Sequence, residues 1–212
     1  KCWFQIYHQF GRSPIIVLQK KEQKGNGIYF MTKNSDKIKE FGALFKERGI
    51  VVRQVSIGIK EDKSVNDVSY VAAKKVEEAY RITGLPIFAA DTGLFIPILN
   101  NQPGVKLKEF LKAHGIDGLI KRLKNKKNRY AELRSTLAYK EKGKKTKTFS
   151  AMIEGKIDQK QSNIIKKEFL IDSIFIPKGS NKPISEMNEI EYRKYAKNRT
   201  EPVRKLYSYL KI

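Results

Sequence analysis

Ile28-Tyr29-Phe30-Met31-Thr32-Lys33-Asn34-Ser35-Asp36-Lys37-Ile38-Lys39-Glu40-Phe41 is the stretch whose reading decides the fold. Four apolar residues, Ile28 to Met31, suit a short buried strand. Thr32, Asn34 and Ser35 are all good helix N-caps. Ile38, Phe41 and Phe45 then recur at helical spacing with Leu44 beside them, which predicts a helix from about Ser35. Strand, polar turn and helix together aim unpaired backbone N–H groups and a positive dipole end at an anion. Lys37 puts a cation in the first helical turn, where a cap favours an acid, and a bound phosphate would resolve that conflict. An ordinary capped helix with a solvated lysine fits the same residues.

Working outward, the pattern continues as strand and helix. Gly49 is a normal helix stop, and Ile50 to Val55 is β-branched and extended. Residues 58–64 read as a charged loop carrying Glu61 and Asp62. A helix is expected over 65–83, with Val65, Val68, Ala72, Val76, Ala79 and Ile82 on one stripe and Gly84 as its stop. Leu85 to Ala90 reads as a short central strand with Asp91-Thr92-Gly93 at its carboxyl end, where α/β sheets bind ligands. Asp91 is there either as a turn cap or as a functional acid.

Beyond it, Asn100 to Gly104 reads as a turn. Two short helices are expected near 105–113 and 117–124, the second capped by Asp117. Residues 130–140 and 147–154 alternate as an antiparallel hairpin around Glu141-Lys-Gly-Lys144. A strand at 174–176 and helices at 189–197 and 200–210 close the chain, with Thr200 capping the last and Pro202 in its first turn. Residues 1–27 read as an N-terminal appendage, with loop at 11–14 and 19–27.

The 212 residues suffice for one sizeable core. Forty per cent hydrophobic and 31 % charged residues make a globular balance. No apolar run approaches the roughly 20 residues of a membrane helix. The single cysteine allows no internal disulfide, and a reducing cytoplasm is the expectation. His8 and His114 lack metal-ligand spacing, which argues against zinc. Forty-four Lys and Arg against 22 Asp and Glu give a net charge of +22. That field attracts polyanions, although a uniformly lysine-rich surface gives the same number.

Three segments carry a family resemblance. Thr32-x-Asn34-x-x-Lys37-x-x-Glu40-Phe41, Leu85-Pro-Ile-Phe-Ala-Ala-Asp-Thr-Gly-Leu-Phe95, and Ile171-Asp-Ser-Ile-Phe-Ile-Pro177 with Ser185-Glu-Met187 stand in the order of the inosine triphosphate pyrophosphatase family. The resemblance spans about residues 28–212. It implies an α/β fold: a central mixed twisted sheet flanked by helices, in two lobes with an active-site cleft between them. It further implies cleavage of ITP, dITP or XTP between the α and β phosphates, with Mg2+, in a homodimer.

On this resemblance Thr32, Asn34, Lys37, Thr92, Gly93 and either Lys74 or Lys75 would hold phosphates, Lys75 being carried forward. Asp91, with Glu61 or Asp62, would hold the metal or activate water; Lys37 and Asp91 would carry the catalysis. Phe169 would stack the base, with Asp172, Arg193, Asn198 and Arg199 near it. The chain departs from the family at Ala90-Asp91, where two acids are usual, and at Lys166-Lys-Glu168, which replaces a glycine-rich lead. It departs again at Lys197-Asn198-Arg199, where the family reads Ser-His-Arg. Asn198 can still hydrogen-bond a base edge but cannot titrate. The losses leave two further readings open: a basic nucleotide- or nucleic-acid-binding homologue without catalysis, and a pyrophosphatase acting on modified pyrimidines.

Overall fold

The computed structural model describes residues 3–10, 13–20, 27–164 and 167–212. Of the family departures noted above, Lys166 lies outside these residues, as do the side chains of Lys167 and Glu168. Nine strands form one mixed sheet among the described residues: β1 (Trp3–Phe10), β2 (Ser13–Lys20), β3 (Gly27–Met31), β4 (Val51–Ser56), β5 (Ile87–Ile96), β6 (Gln102–Gly104), β7 (Tyr130–Lys140), β8 (Lys147–Ile157) and β9 (Phe175–Pro177). They run in the order β1-β2-β4-β3-β5-β7-β8-β9, with β6 folded back on β5. Only β3 makes parallel pairs, with β4 and with the first residues of β5. The hairpin β1–β2 joins β4 through Ile16 opposite Ser56 and Val17 opposite Val55, so residues 13–14 and 19–20 belong to a strand rather than to loop.

The helices are α1 (Ser35–Lys46), α2 (Val68–Thr83), α3 (Leu107–Arg122), α4 (Glu189–Arg199) and α5 (Glu201–Leu210). One face of the β3 end is covered by α1 and α5, where Phe30, Phe45, Phe88, Leu137, Val203 and Leu206 form a buried cluster. Phe88 stacks on Phe30 at 4.3 Å and on Phe45 at 5.2 Å. On the opposite face Ala72, Val76 and Ala79 of α2 meet Met31, Val55, Ile87, Ala89 and Ala138. Each large apolar side chain so buried contributes roughly 1.5–3 kcal/mol. A separate cluster, Leu94, Ile96, Phe110, Leu119, Leu133, Phe175 and Tyr195, is the core of the second lobe.

Strand β5 connects the lobes. Both faces are buried at Ile87 to Ala89 and again at Gly93 to Ile96, while Ala90, Asp91 and Thr92 between them are partly or fully exposed. The strand therefore does not end at Ala90 as expected. It continues because β7 pairs with it along its length, Asp91 lying opposite Thr136, whereas the parallel partner β3 stops at Phe88. Asp91 remains just beyond the parallel part of the sheet, where the two cores separate.

Other boundaries moved for local reasons. Asp67 accepts from the backbone N–H of Ser69 at 2.6 Å and of Tyr70 at 3.2 Å, so α2 starts at Val68 and leaves Val65 outside it. Gly84 closes α2 in the left-handed conformation (φ 66°) that glycine adopts without strain. The two helices expected over 105–124 are present as the two segments of α3, which meet at a non-helical Gly115 (φ 63°); only Asp117 differs, lying inside the second segment instead of capping it. Residues 102–104 of the expected turn pair with β5 as β6. The Thr200 hydroxyl donates back to the Ala196 carbonyl at 3.0 Å, so it does not cap α5.

Candidate active site

The turn after β3 is braced by its own polar side chains. Thr32 is buried, its N–H donates to Val55 O at 3.1 Å, and its carbonyl accepts from Gln54 at 3.0 Å. Its hydroxyl oxygen then accepts from the Asn34 N–H at 3.1 Å. The Asn34 carboxamide oxygen accepts from the Lys37 N–H at 3.2 Å, which makes Asn34 the N-cap of α1. These bonds fix the helix N-terminus against the sheet.

Two charged residues meet over β5. From the first turn of α1, Lys37 reaches across and donates to Ala90 O at 3.1 Å. Burial pulls the Lys37 ammonium below the usual lysine range, with Asp91 opposing that shift and Lys75 reinforcing it. Burial likewise pushes the Asp91 carboxyl up, against the pull of Lys37 and Lys75. Oxygen Oδ2 of Asp91 is buried and has no hydrogen-bond partner among the described residues. A carboxylate oxygen so placed needs a proton, a cation or a water to offset its lost hydration.

Lys75, on α2, supplies the second cation and holds Glu61 Oε1 at 2.5 Å. Lys63 approaches Glu61 Oε2 at 3.2 Å. Burial alone would raise the Glu61 carboxyl, but the two lysines bring it down to about 2. Asp62 turns away, accepting from the Tyr70 hydroxyl at 2.7 Å and from Ser64. Lys74 lies on the outer side of α2, near Glu77 and the Tyr70 ring. Of each alternative pair, Glu61 and Lys75 are therefore the members turned toward Asp91.

Thr92 is exposed on the cleft, whereas Gly93 is packed inside the fold. A Cβ on Gly93 would lie 2.9 Å from Gly104 O, so β6 requires glycine there.

Among the described residues no group of three or more His, Cys, Asp and Glu is gathered. The unpartnered Asp91 oxygen and nearby Glu61 make a sparse, all-oxygen set. Such a set fits magnesium, which takes one or two carboxylates and fills its shell with substrate phosphates and water.

A second cluster forms where α4 meets the turn at residues 167–173. The Arg199 guanidinium lies 4.1 Å from the Phe169 ring centroid, with Asp172 at 3.6 Å and Glu40 at 3.5 Å. Tyr195, Glu40 and Asp172 hold its positive charge against the burial that opposes it. Phe169, Asp172 and Arg199 are thus brought together. Asn198 is exposed beside Arg199. Arg193 is not brought in: its side chain is 77 % exposed and pairs with Glu189 at 2.5 Å. Six residues from Arg199, it falls about a third of a turn off that face.

Sequence reading passed over Tyr192 and Tyr195, which share the Arg199 face at helical spacing, and assigned no role to Glu40. Lys37 and Glu40 stand three apart on α1, so one helix face serves both clusters. Lys63 and Glu109 gave no local signal, since 46 residues separate them.

Fold and site define a two-lobed α/β protein whose cleft pairs a capped helix N-terminus with a lysine–carboxylate cluster. The chain belongs to the Ham1 family, whose profile matches residues 28–209. It is 31 % identical over 184 residues to a dITP/XTP pyrophosphatase of Hyperthermus butylicus, covering 87 % of this chain and 94 % of that one. It is 30 % identical over 186 residues to a dITP/XTP pyrophosphatase of Thermococcus kodakarensis, covering 87 % and 97 %. A HAM1 protein from Coxiella burnetii has the same fold, with a TM-score of 0.74 at 23 % identity, covering 88 % of this chain and 98 % of that one. No helix among the described residues is long and apolar enough to cross a membrane.

Proposed function

We propose that this chain is a hydrolase that converts deaminated purine nucleoside triphosphates (ITP, dITP and XTP) to the monophosphate and pyrophosphate. The observation that carries this reading is the buried, unpartnered Asp91 oxygen between Lys37 and Lys75. The names of the relatives supply the substrate class. In this reading Thr32 and Asn34 shape the turn that receives phosphate oxygens, Thr92 lines its far side with Gly93 packed behind it, and Lys37 and Lys75 neutralise the chain. Asp91 and Glu61 would hold Mg2+, which when bound offsets phosphate charge as the α–β anhydride bond breaks and water is added across it. Phe169 offers a ring for the base to stack on, with the Arg199 guanidinium 4.1 Å from its centroid. Asp172 and Arg199 then meet the base edge, with Asn198 at the rim. Residues 28–212 act as one two-lobed domain, assembled as a homodimer in the cytoplasm.

The test is pyrophosphate release from ITP and XTP by the purified chain, with Asp91→Asn as control. Full activity of that variant would rule out the assigned role of Asp91.

A second reading rests on the net charge of +22 and on the exposed run Lys121, Lys124, Lys126 and Lys127. In it the basic surface binds nucleic acid non-specifically. Such binding falls steeply with salt and does not require magnesium.

A further inference from the structure

The segment that carries Glu61 has no regular structure between Ile57 and Asp67, and clefts of about 360 Å³ lie on either side of it. One cleft separates it from α2, lined by Lys60, Asp62, Lys74 and Glu78 among others. The other separates it from α3, lined by Lys63, Lys108, Glu109 and Lys112. Ile57 and Ile59 anchor the start of the loop on the first core, and beyond them polar side-chain pairs span the gaps. Towards α2 there are two: Asp62 with the Tyr70 hydroxyl at 2.7 Å, and Glu61 with Lys75 at 2.5 Å. Towards α3 there is Lys63, whose ammonium is 2.6 Å from Glu109 Oε1 and 3.2 Å from Glu61 Oε2. The Lys63 side chain is only 13 % exposed, an unusual place for a lysine on an irregular loop.

We propose that Lys63 and Glu109 form a latch that ties the loop to α3 and so positions Glu61 beside Asp91; neither residue touches the substrate. The latch joins the two lobes, since α3 packs in the second core and α2 in the first. The closer contact to Glu109 also keeps Lys63 from committing fully to Glu61. Glu61 keeps its short contact to Lys75 at 2.5 Å, and its Oε2 has the longer lysine contact, at 3.2 Å. The role of Glu61 toward magnesium rests on the function proposed above, while the tethering of the loop does not.

The experiment compares the unsubstituted 212-residue chain with Glu109→Gln and Lys63→Arg. Amide hydrogen exchange across residues 57–67 reads the tether, and Mn2+ binding followed by electron paramagnetic resonance reads the site. Glu109→Gln is expected to speed exchange in that segment alone and to weaken Mn2+ binding roughly fivefold, the upper range for a partly exposed ion pair. Turnover at saturating magnesium changes less than the half-saturating magnesium concentration, and Lys63→Arg, which keeps the cation, retains native exchange and Mn2+ binding. Faster exchange in a protein without pyrophosphatase activity would uphold the latch and sink the proposed function. Unchanged exchange and Mn2+ binding in an active Glu109→Gln enzyme would overturn the latch and leave that function standing.

Discussion

Lys37 spans from the first turn of α1 to the main chain of β5, its ammonium 3.1 Å from the carbonyl oxygen of Ala90. That contact ties the first turn of α1 to the one stretch of β5 left open between the two cores, and it brings a desolvated cation alongside Asp91. The cleft is thereby charged on both sides before any substrate arrives. Its chemistry depends on a cation and a carboxylate that each give up hydration to be there.

Replacing that carboxylate separates activity from stability. Asp91→Asn should lower pyrophosphate release by about 100-fold or more, the scale of a lost acid–base group. Folding should not suffer, because a buried charge with an unpartnered oxygen is removed. Because burial raises the folded-state pKa of Asp91, its ionisation costs stability as the pH rises above the unfolded value. Urea unfolding at pH 7 should therefore show an equal or higher midpoint for the variant.

Glu61 carries the opposite sign. Its carboxyl sits at about 2 in the folded protein against an ordinary 4.5. The stability it contributes is complete above 4.5 and lost as the pH falls from there toward 2. Glu61→Gln should flatten the acid limb of the stability profile in that window. Unfolding midpoints taken at half-unit steps from pH 5 to 2 check this, and an unchanged slope contradicts it.

In the proposed function Phe169 gives the base an apolar face. Phe169→Ala should raise KM for ITP and XTP by an amount corresponding to about 1–3 kcal/mol of lost stacking, with a smaller change in kcat. It also removes the ring beneath Arg199, so the preference for ITP over ATP should narrow. Steady-state kinetics on both substrates tests the pair of effects.

The first core depends on Phe88, which is fully buried and stacked on two other phenylalanines. Phe88→Ala should cost about 3–5 kcal/mol. That is a large share of the stability of a typical domain, so thermal denaturation should show a drop of many degrees.

Much of this architecture was legible in the sequence because its signals are local. The Ile28–Phe41 stretch predicted strand, turn and helix, and Asn34 caps α1 with Lys37 in its first turn, as that reading placed them. Other features are settled by distant pairing. The extension of β5 past Asp91 comes from β7, forty-odd residues later, and the turn at 100–104 becomes a strand only by folding back on β5. Arg199 and Phe169 were legible through motif resemblance. Tyr192 and Tyr195 were missed because tyrosines at helical spacing resemble any amphipathic face, and Arg193 was picked by alignment although its own helix turns it outward. Residues 58–64 have no periodicity, so Glu61 was preferred to Asp62 without a local signal, and the physical ground for it lies in the positions of Lys75 and Tyr70.

The most direct test of the whole account is pyrophosphate release from ITP, XTP, GTP, ATP and dUTP, measured with magnesium and with chelator. The account predicts turnover that stops on chelation and favours ITP and XTP over GTP and ATP. No release from any of the five in magnesium, accompanied by salt-sensitive binding to nucleic acid, would contradict it.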